Sequence, residues 1–321
     1  MEVILHVGAH RTATTTFQAY LRDNATTLAE RGILAWEPRT TRKGLLAGIV
    51  PAPGAQGPGA PPGRARARVE ARLDALAQTG ARHLVISDEN MIGSPRHNRR
   101  HGALYPDIAA RMTRFFEAFG HRIANVVLSI RPQDEFWSSV LIYSVMRGHA
   151  VPGRDELAAL ALGGHAWRDV VTALAGAVPG ADIRVLPHHP YAGRPDLRLA
   201  RMTNRPGLGA PMLPPALRAA PLNASAELPR LRQLAAMRGA GDVHLPRGEG
   251  RWSPFDLQQL CHLRELYCRD IAWLRGGADG LATWIEETGD RGNRAEETGR
   301  DPAAALATRG QANGIEERRL A

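Results

Sequence analysis

Four short apolar runs punctuate the chain, at residues 3–7, 83–87, 125–130 and 183–186. Each is rich in Val, Ile and Leu and too short for a helix, the pattern of strands buried on both faces of a parallel sheet. Between and after them, apolar positions recur at helical spacing over residues 14–31, 69–78, 106–119, 135–147 and 167–177. Strands alternating with helices predict an α/β domain of three layers, α/β/α, with a central parallel sheet and right-handed crossovers.

The punctuation between these elements is uneven. Residues 51–68 hold five prolines and four glycines in eighteen positions, which reads as a surface loop inserted within the domain. A second irregular stretch, residues 194–222, precedes a helical region running through Trp273. There Leu257, Leu260, Leu263 and Leu266 are expected to face the core. From residue 286 the chain turns polar, and Glu286-Glu287-Thr288-Gly289 recurs as Glu296-Glu297-Thr298-Gly299. This composition predicts a folded domain over residues 1–285 and a disordered tail over 286–321.

Composition narrows the function classes. With 321 residues, 44% hydrophobic and 23% charged, the chain is neither a collagen nor a coiled-coil rod nor wholly disordered. A net charge of +9 invites a nucleic-acid reading, but Lys43 is the sole lysine among 41 basic residues. With so much Ala, Gly and Pro alongside, the arginine excess reads mainly as coding bias. The tail carries eight acids against six arginines, so the positive charge belongs to the body. The segment Pro95-Arg96-His97-Asn98-Arg99-Arg100-His101 has no interleaved aromatic to stack bases and reads as a solvated loop, so no nucleic-acid partner is expected. The amino-terminal residues lack a basic leader, and no run of about 18 apolar residues occurs. A cytoplasmic protein without a transmembrane segment is expected. Cys261 and Cys268, seven apart on an expected helix, would lie about 10 Å from each other. That is too far to bridge. They are taken as small core residues, too few for a metal site.

Two segments carry chemistry. The first apolar run leads directly into Gly8-Ala9-His10-Arg11-Thr12-Ala13-Thr14-Thr15-Thr16 and then a helix. Strand, tight turn and helix amino end make an anion site, because backbone N–H groups and the helix dipole converge at the carboxyl end of the strands. Arg11 adds a full charge and the threonines add hydroxyl donors; the plainer role for Thr14 is to cap the helix. A nucleotide-kinase loop requires Gly-x-x-x-x-Gly-Lys-[Ser/Thr]; here Ala13 stands for the second Gly and no Lys follows. An atypical kinase is therefore the least favoured reading. The second segment is Ile130-Arg131-Pro132 through Ser139, where a strand-end Arg is followed eight residues later by a helical Ser. Arg supplies a planar fork of donors and Ser a hydroxyl. Together the two imply a ligand with two separated phosphate groups.

Residues 6–18, His-Val-Gly-Ala-His-Arg-Thr-Ala-Thr-Thr-Thr-Phe-Gln, resemble the 5′-phosphosulfate loop of sulfotransferases that use 3′-phosphoadenosine 5′-phosphosulfate (PAPS). Leu128-Ser129-Ile130-Arg131 through Ser139 resembles that family's 3′-phosphate motif, and Val85-Ile86-Ser87-Asp88-Glu89-Asn90 is similar to the Ser-x-Glu strand end of its bacterial, carbohydrate-type members. The resemblance spans about residues 1–285 and implies a P-loop-like sulfotransferase fold. It implies that His10, Arg11, Thr12, Ala13, Thr14, Thr15 and Thr16 hold the 5′-phosphosulfate, and that Arg131 and Ser139 hold the 3′-phosphate. Arg11 would also stabilise the leaving phosphate, no metal would be needed, and Glu89 would be the general base, with Asp88 and His10 as competitors. His6, within the strand, is expected to be a buried core histidine. The implied partner is a small-molecule or glycan acceptor. The chain departs from the family pattern at Arg11, where a Lys is usual, and at Ala13, where a Gly is usual. A protein of this fold that binds the nucleotide and has lost catalysis is the alternative.

Overall fold

Successive residues of the first strand point to opposite faces of a sheet and both sets are buried, which is why the run reads as continuously apolar. In the computed structural model, which describes residues 1–50, 62–203, 225–237 and 245–286, this strand is β1 (Glu2–His6). It lies at the centre of a six-stranded, all-parallel sheet with β2 (Ile33–Trp36), β3 (His83–Ser87), β4 (Ile123–Ile130), β5 (Asp182–Pro187) and β6 (Thr283–Trp284), in the order β2-β3-β1-β4-β5-β6.

The two faces are covered by different helices, as the α/β alternation requires. Ile4, Val85, Val127 and Leu186 meet α1 (Thr14–Asp23), α2 (Ala25–Glu30) and α9 (Pro195–Thr203) through Phe17, Tyr20, Leu28, Leu199 and Met202. Leu5, Leu84, Val126, Leu128 and Val185 face the other layer. That layer holds α3 (Pro62–Ala77), α5 (Ile108–Ala118), α6 (Gln133–Met146), α8 (Trp167–Ala177), α10 (Leu228–Met237) and α11 (Leu257–Arg275). Two shorter helices, α4 (Pro95–His101) and α7 (Arg154–Leu162), flank α6 and α11. Each fully buried Leu, Ile or Phe here contributes about 1.5–3 kcal/mol relative to an exposed one. Residues Met1–Ile285 form one compact unit.

Strand order fixes where a ligand can bind. From β1 the chain crosses over β3 to β2, whereas from β4 it moves outward to β5. The connections leaving β1 and β4 therefore diverge, and the crevice between two such carboxyl ends is the place where open α/β sheets bind ligands. The loops that leave these two strands are the two segments singled out in the sequence.

Several expectations need correction. The expected helix over 14–31 is two helices, broken at Asn24, whose side-chain amide donates to the Tyr20 carbonyl at 2.9 Å. Asn competes with the helix in this way because its short amide reaches its own backbone. Residues 62–68 are not loop: α3 starts at Pro62, a favourable first helical residue, and continues through Arg-Ala repeats with high helix propensity, burying Ala65 and Val69. Residues 51–61 lie outside the described residues. Residues 95–101 are also helical, with Ser94 accepting from the His97 N–H at 3.2 Å as N-cap. Residues 195–203, read as irregular, form α9; residues 204–222, which complete that stretch, lie outside the described residues, as does the tail beyond Glu286. The segment up to Trp273 is two helices, α10 and α11.

Cys261 and Cys268 are exposed rather than core, because α11 turns its Leu263 and Leu266 face inward and leaves the cysteines outside that stripe. Leu257, at the first position of α11, is 67% exposed. Short β2 and two-residue β6 escaped the pattern because a few residues carry too little periodicity. Among the described residues no helix is long and apolar enough to cross a membrane.

Candidate functional site

After β1 the chain keeps hydrogen-bonding to β4: the Val7 N–H donates to the Val127 carbonyl and the Ala9 N–H to the Ser129 carbonyl, both at 3.0 Å. The turn then tightens. The Thr12 hydroxyl donates back to the Ala9 carbonyl at 2.6 Å, and the His10 N–H donates to the Tyr105 hydroxyl at 2.7 Å. Gly8 is required where it stands, since a Cβ there would come within 2.9 Å of His6 Nε2 and 3.3 Å of Thr12 Oγ1. Arg11 and Ala13 adopt left-handed backbone, with φ of 68° and 61°. Ala13 is the N-cap of α1 and brings no side-chain acceptor, so the positive end of the helix opens onto solvent-side space.

That space is a cavity of about 830 Å³, within the range of about 300–1,000 Å³ typical of small-molecule sites. His10, Arg11, Ala13, Thr14, Thr15 and Glu89 line it, and so do Arg131 and Ser139 from the other segment. The two segments are joined by direct bonds. Arg11 Nε donates to Ser139 Oγ at 3.0 Å, and Arg131 Nη1 donates to the Arg11 carbonyl at 2.9 Å. Arg11 Nη2 also reaches Ser225 Oγ at 3.3 Å, and Ser225 and Ser139 hydroxyls meet at 2.9 Å. The Arg11 guanidinium sits 5.2 Å from the centroid of the Tyr143 ring. Thr12, in the loop, and Thr16, in α1, are 0% and 1% exposed and are not on the cavity wall.

Arg131 is held from behind. Its carbonyl accepts from the Trp167 indole N–H at 2.8 Å. Asp270 of α11 in turn caps α8 by accepting from the Trp167 and Arg168 N–H groups at 2.8 and 3.1 Å, and Gln133 Nε2 donates to it at 2.7 Å. Arg131 is only 5% exposed, and its guanidinium donates to Glu135 at 2.8 Å. Burial, with the opposing benefit of that carboxylate, leaves the Arg131 pKa below its ordinary value.

The electrostatics are one-sided. Among the described residues six arginines line the cavity, Arg11, Arg42, Arg96, Arg131, Arg147 and Arg251, against one carboxylate, Glu89. Burial lowers the Arg11 pKa, and the neighbouring charges of Arg131 and Arg251 lower it further. Like charges gathered in a half-buried space repel one another unless an anion lies between them.

The two acids after β3 separate cleanly. Asp88 is buried and fully engaged: Thr41 Oγ1 and Arg42 Nη2 each donate to it at 2.6 Å, and the Asn90 N–H at 3.1 Å. It does not line the cavity. Glu89 does line it, with Gln18 Nε2 donating to Oε2 at 2.7 Å and Arg42 Nη2 to Oε1 at 3.1 Å.

His6 is the buried core histidine expected, 0% exposed, bonded through Nδ1 to Ser87 Oγ at 2.8 Å. Burial, and then the charge of Arg198, holds its pKa well below the usual value. His10 is bracketed by the Tyr105 hydroxyl at Nδ1 (3.0 Å) and Asn90 Oδ1 at Nε2 (3.1 Å). The Tyr105 oxygen already accepts the His10 N–H, so its proton is available to Nδ1 and the imidazole proton sits on Nε2, facing Asn90. Burial lowers the His10 pKa, which favours this neutral form.

Arg42, Tyr143, Ser225 and Arg251 were not legible as site residues. No local pattern separates them from the many other arginines and hydroxyls; only the fold gathers them. Compared with known proteins, the chain matches no family model and no curated protein. Among the described residues no group of three or more His, Cys, Asp or Glu forms a metal-binding cluster.

Proposed function

We propose that the protein is a PAPS-dependent sulfotransferase that moves a sulfuryl group to a hydroxyl or amine of a small-molecule or glycan acceptor. One observation carries the reading. Two anion-binding segments, on the diverging connections of β1 and β4, share one cavity and are bonded to each other through Arg11, Arg131 and Ser139. A nucleotide with phosphates at both ends of its ribose matches that pair, whereas a nucleoside triphosphate needs only the first.

In this reading the amino end of α1, with Thr14 and Thr15, receives the 5′-phosphosulfate, and Arg131 with Ser139 receives the 3′-phosphate. Arg11 reaches from the first segment to Ser139 of the second and stabilises charge developing on the leaving phosphate oxygen. Glu89 takes the acceptor proton as the new S–O or S–N bond forms and the bridging bond to phosphate breaks in line. The fixed cations supply the electrostatic stabilisation, with no metal in the scheme. The experiment is calorimetric titration with 3′-phosphoadenosine 5′-phosphate (PAP), followed by transfer assays with labelled PAPS across hydroxyl, amine and sugar acceptors. Absence of PAP binding below millimolar concentration defeats the reading.

A second reading, nucleotide binding without transfer, draws on Glu89. Both its carboxylate oxygens are already engaged by Arg42 and Gln18, and the loop carries Arg11 and Ala13 where the resembling family has Lys and Gly. PAP binding with neither transfer nor slow PAPS hydrolysis favours it.

A further inference from the structure

Arg198, on the α9 face that packs beneath the β1–α1 loop, has no role in the chemistry above. Its side chain is 0% exposed, and its guanidinium lies over the Phe17 ring, 5.6 Å from the centroid. Its one short hydrogen bond runs from Nη2 to the Thr12 carbonyl at 2.9 Å; a second, to the Tyr191 carbonyl, is 3.5 Å long. Nε and Nη1 are buried without a partner, and no carboxylate pairs with the group among the described residues. A cation removed from water without a countercharge is strongly unfavourable, and burial pulls this guanidinium down to about 10. Its charge also acts across the loop, adding to the effect of burial on His6 and His188.

The single good bond has a geometric consequence. A trans peptide points its C=O and N–H in opposite directions. With the Thr12 carbonyl turned down onto Arg198, the N–H of Ala13 is turned the other way, and Ala13 lines the cavity. We infer that Arg198 is a positioning residue for the anion loop, orienting the Thr12–Ala13 peptide toward the ligand, and that the anion held by the loop is the countercharge this buried guanidinium lacks. The loop is thus completed electrostatically by its ligand. The inference rests on the anion-site reading of the loop and not on sulfuryl transfer.

The test uses the full chain with Arg198→Met, Arg198→Gln and Arg198→Lys, titrated with PAP and with inorganic pyrophosphate, alongside thermal melts with and without each anion. Arg198→Met fills a similar volume without charge, so the unliganded variant should melt at or above the wild-type temperature. Its affinity for both anions should fall about tenfold to a hundredfold, and the anion-induced rise in Tm should shrink in step. Arg198→Lys should recover part of the anion affinity. Wild-type affinity in Arg198→Met would overturn the inference. Loss of the unliganded fold in both Arg198→Met and Arg198→Gln would do the same, by assigning the residue to packing. A wild-type protein that binds pyrophosphate but not PAP, with the expected loss in Arg198→Met, defeats the nucleotide reading and supports this one. A wild-type protein that binds neither anion overturns both.

Discussion

Substituting Ala13 by Gly should stabilise this protein, although Gly for Ala normally destabilises. Ala13 holds φ of 61° and ψ of 30° at the amino end of α1. An L-residue with a Cβ pays about 1–2 kcal/mol for left-handed backbone, and Gly pays nothing. Against that gain, Gly adds about 0.4–1 kcal/mol of unfolded-state entropy that folding must remove. The balance is about 0.5–1 kcal/mol in favour of the variant, a rise in Tm of roughly 1–2 °C for a chain of this size. Ala19→Gly is the matched control: it lies in the interior of α1, 4% exposed, where the same change costs about 1 kcal/mol or more. Thermal melts or urea titrations of the two variants should move in opposite directions. PAP titration supplies a second readout, since removing the Cβ where the phosphate must approach closely should leave affinity unchanged or improve it. A fall in Tm for Ala13→Gly comparable to that of Ala19→Gly would refute the left-handed loop, and with it the storage of backbone strain at Ala13.

Arg131→Ala should weaken PAP about tenfold to a hundredfold by calorimetry, while adenosine 5′-phosphosulfate, which lacks the 3′-phosphate, should lose much less; equal losses would count against the assignment. Glu89→Gln should abolish acceptor sulfation in a labelled-PAPS assay yet keep PAP affinity within about threefold, whereas Asp88→Asn should lower Tm by loosening Thr41, Arg42 and Asn90. Stability should also fall on acidification. Burial lowers His6 and His10 below their ordinary values, and burial together with Arg131 and Arg198 brings His188 down to about 3. Each stays neutral when folded but takes up a proton when unfolded, so stability is full above about pH 6.5 and declines below it by up to about 1.4 kcal/mol per pH unit per histidine. Urea titrations between pH 7.5 and 5 measure that slope, and a flat profile contradicts the burial of these rings.

Much of the layout was legible in the chain because it depends on local repetition. Residues 3–7, 83–87, 125–130 and 183–186 announced parallel strands since both faces of each are buried, and Gly8–Thr16 and Arg131–Ser139 could be singled out as candidate anion segments because a strand end followed by a helix start is a local feature. Helix boundaries were less legible where side chains rewrite them, as Asn24 does by breaking a helix and Pro62 by starting one earlier than its proline- and glycine-rich surroundings imply.

The site itself required tertiary structure. No spacing rule could tell Asp88 from Glu89; only the fold shows one sealed under Thr41 and Arg42 and the other on the cavity wall. Nor could arginine content separate Arg251 at the cavity or Arg198 beneath the loop from the rest of an arginine-rich chain. Local sequence determines which backbone conformations are cheap and where apolar faces lie. Burial, countercharge and the divergence of the β1 and β4 connections arise between residues far apart in the chain, 186 positions from Thr12 to Arg198 and 214 from Arg11 to Ser225, and exist only once the sheet has formed.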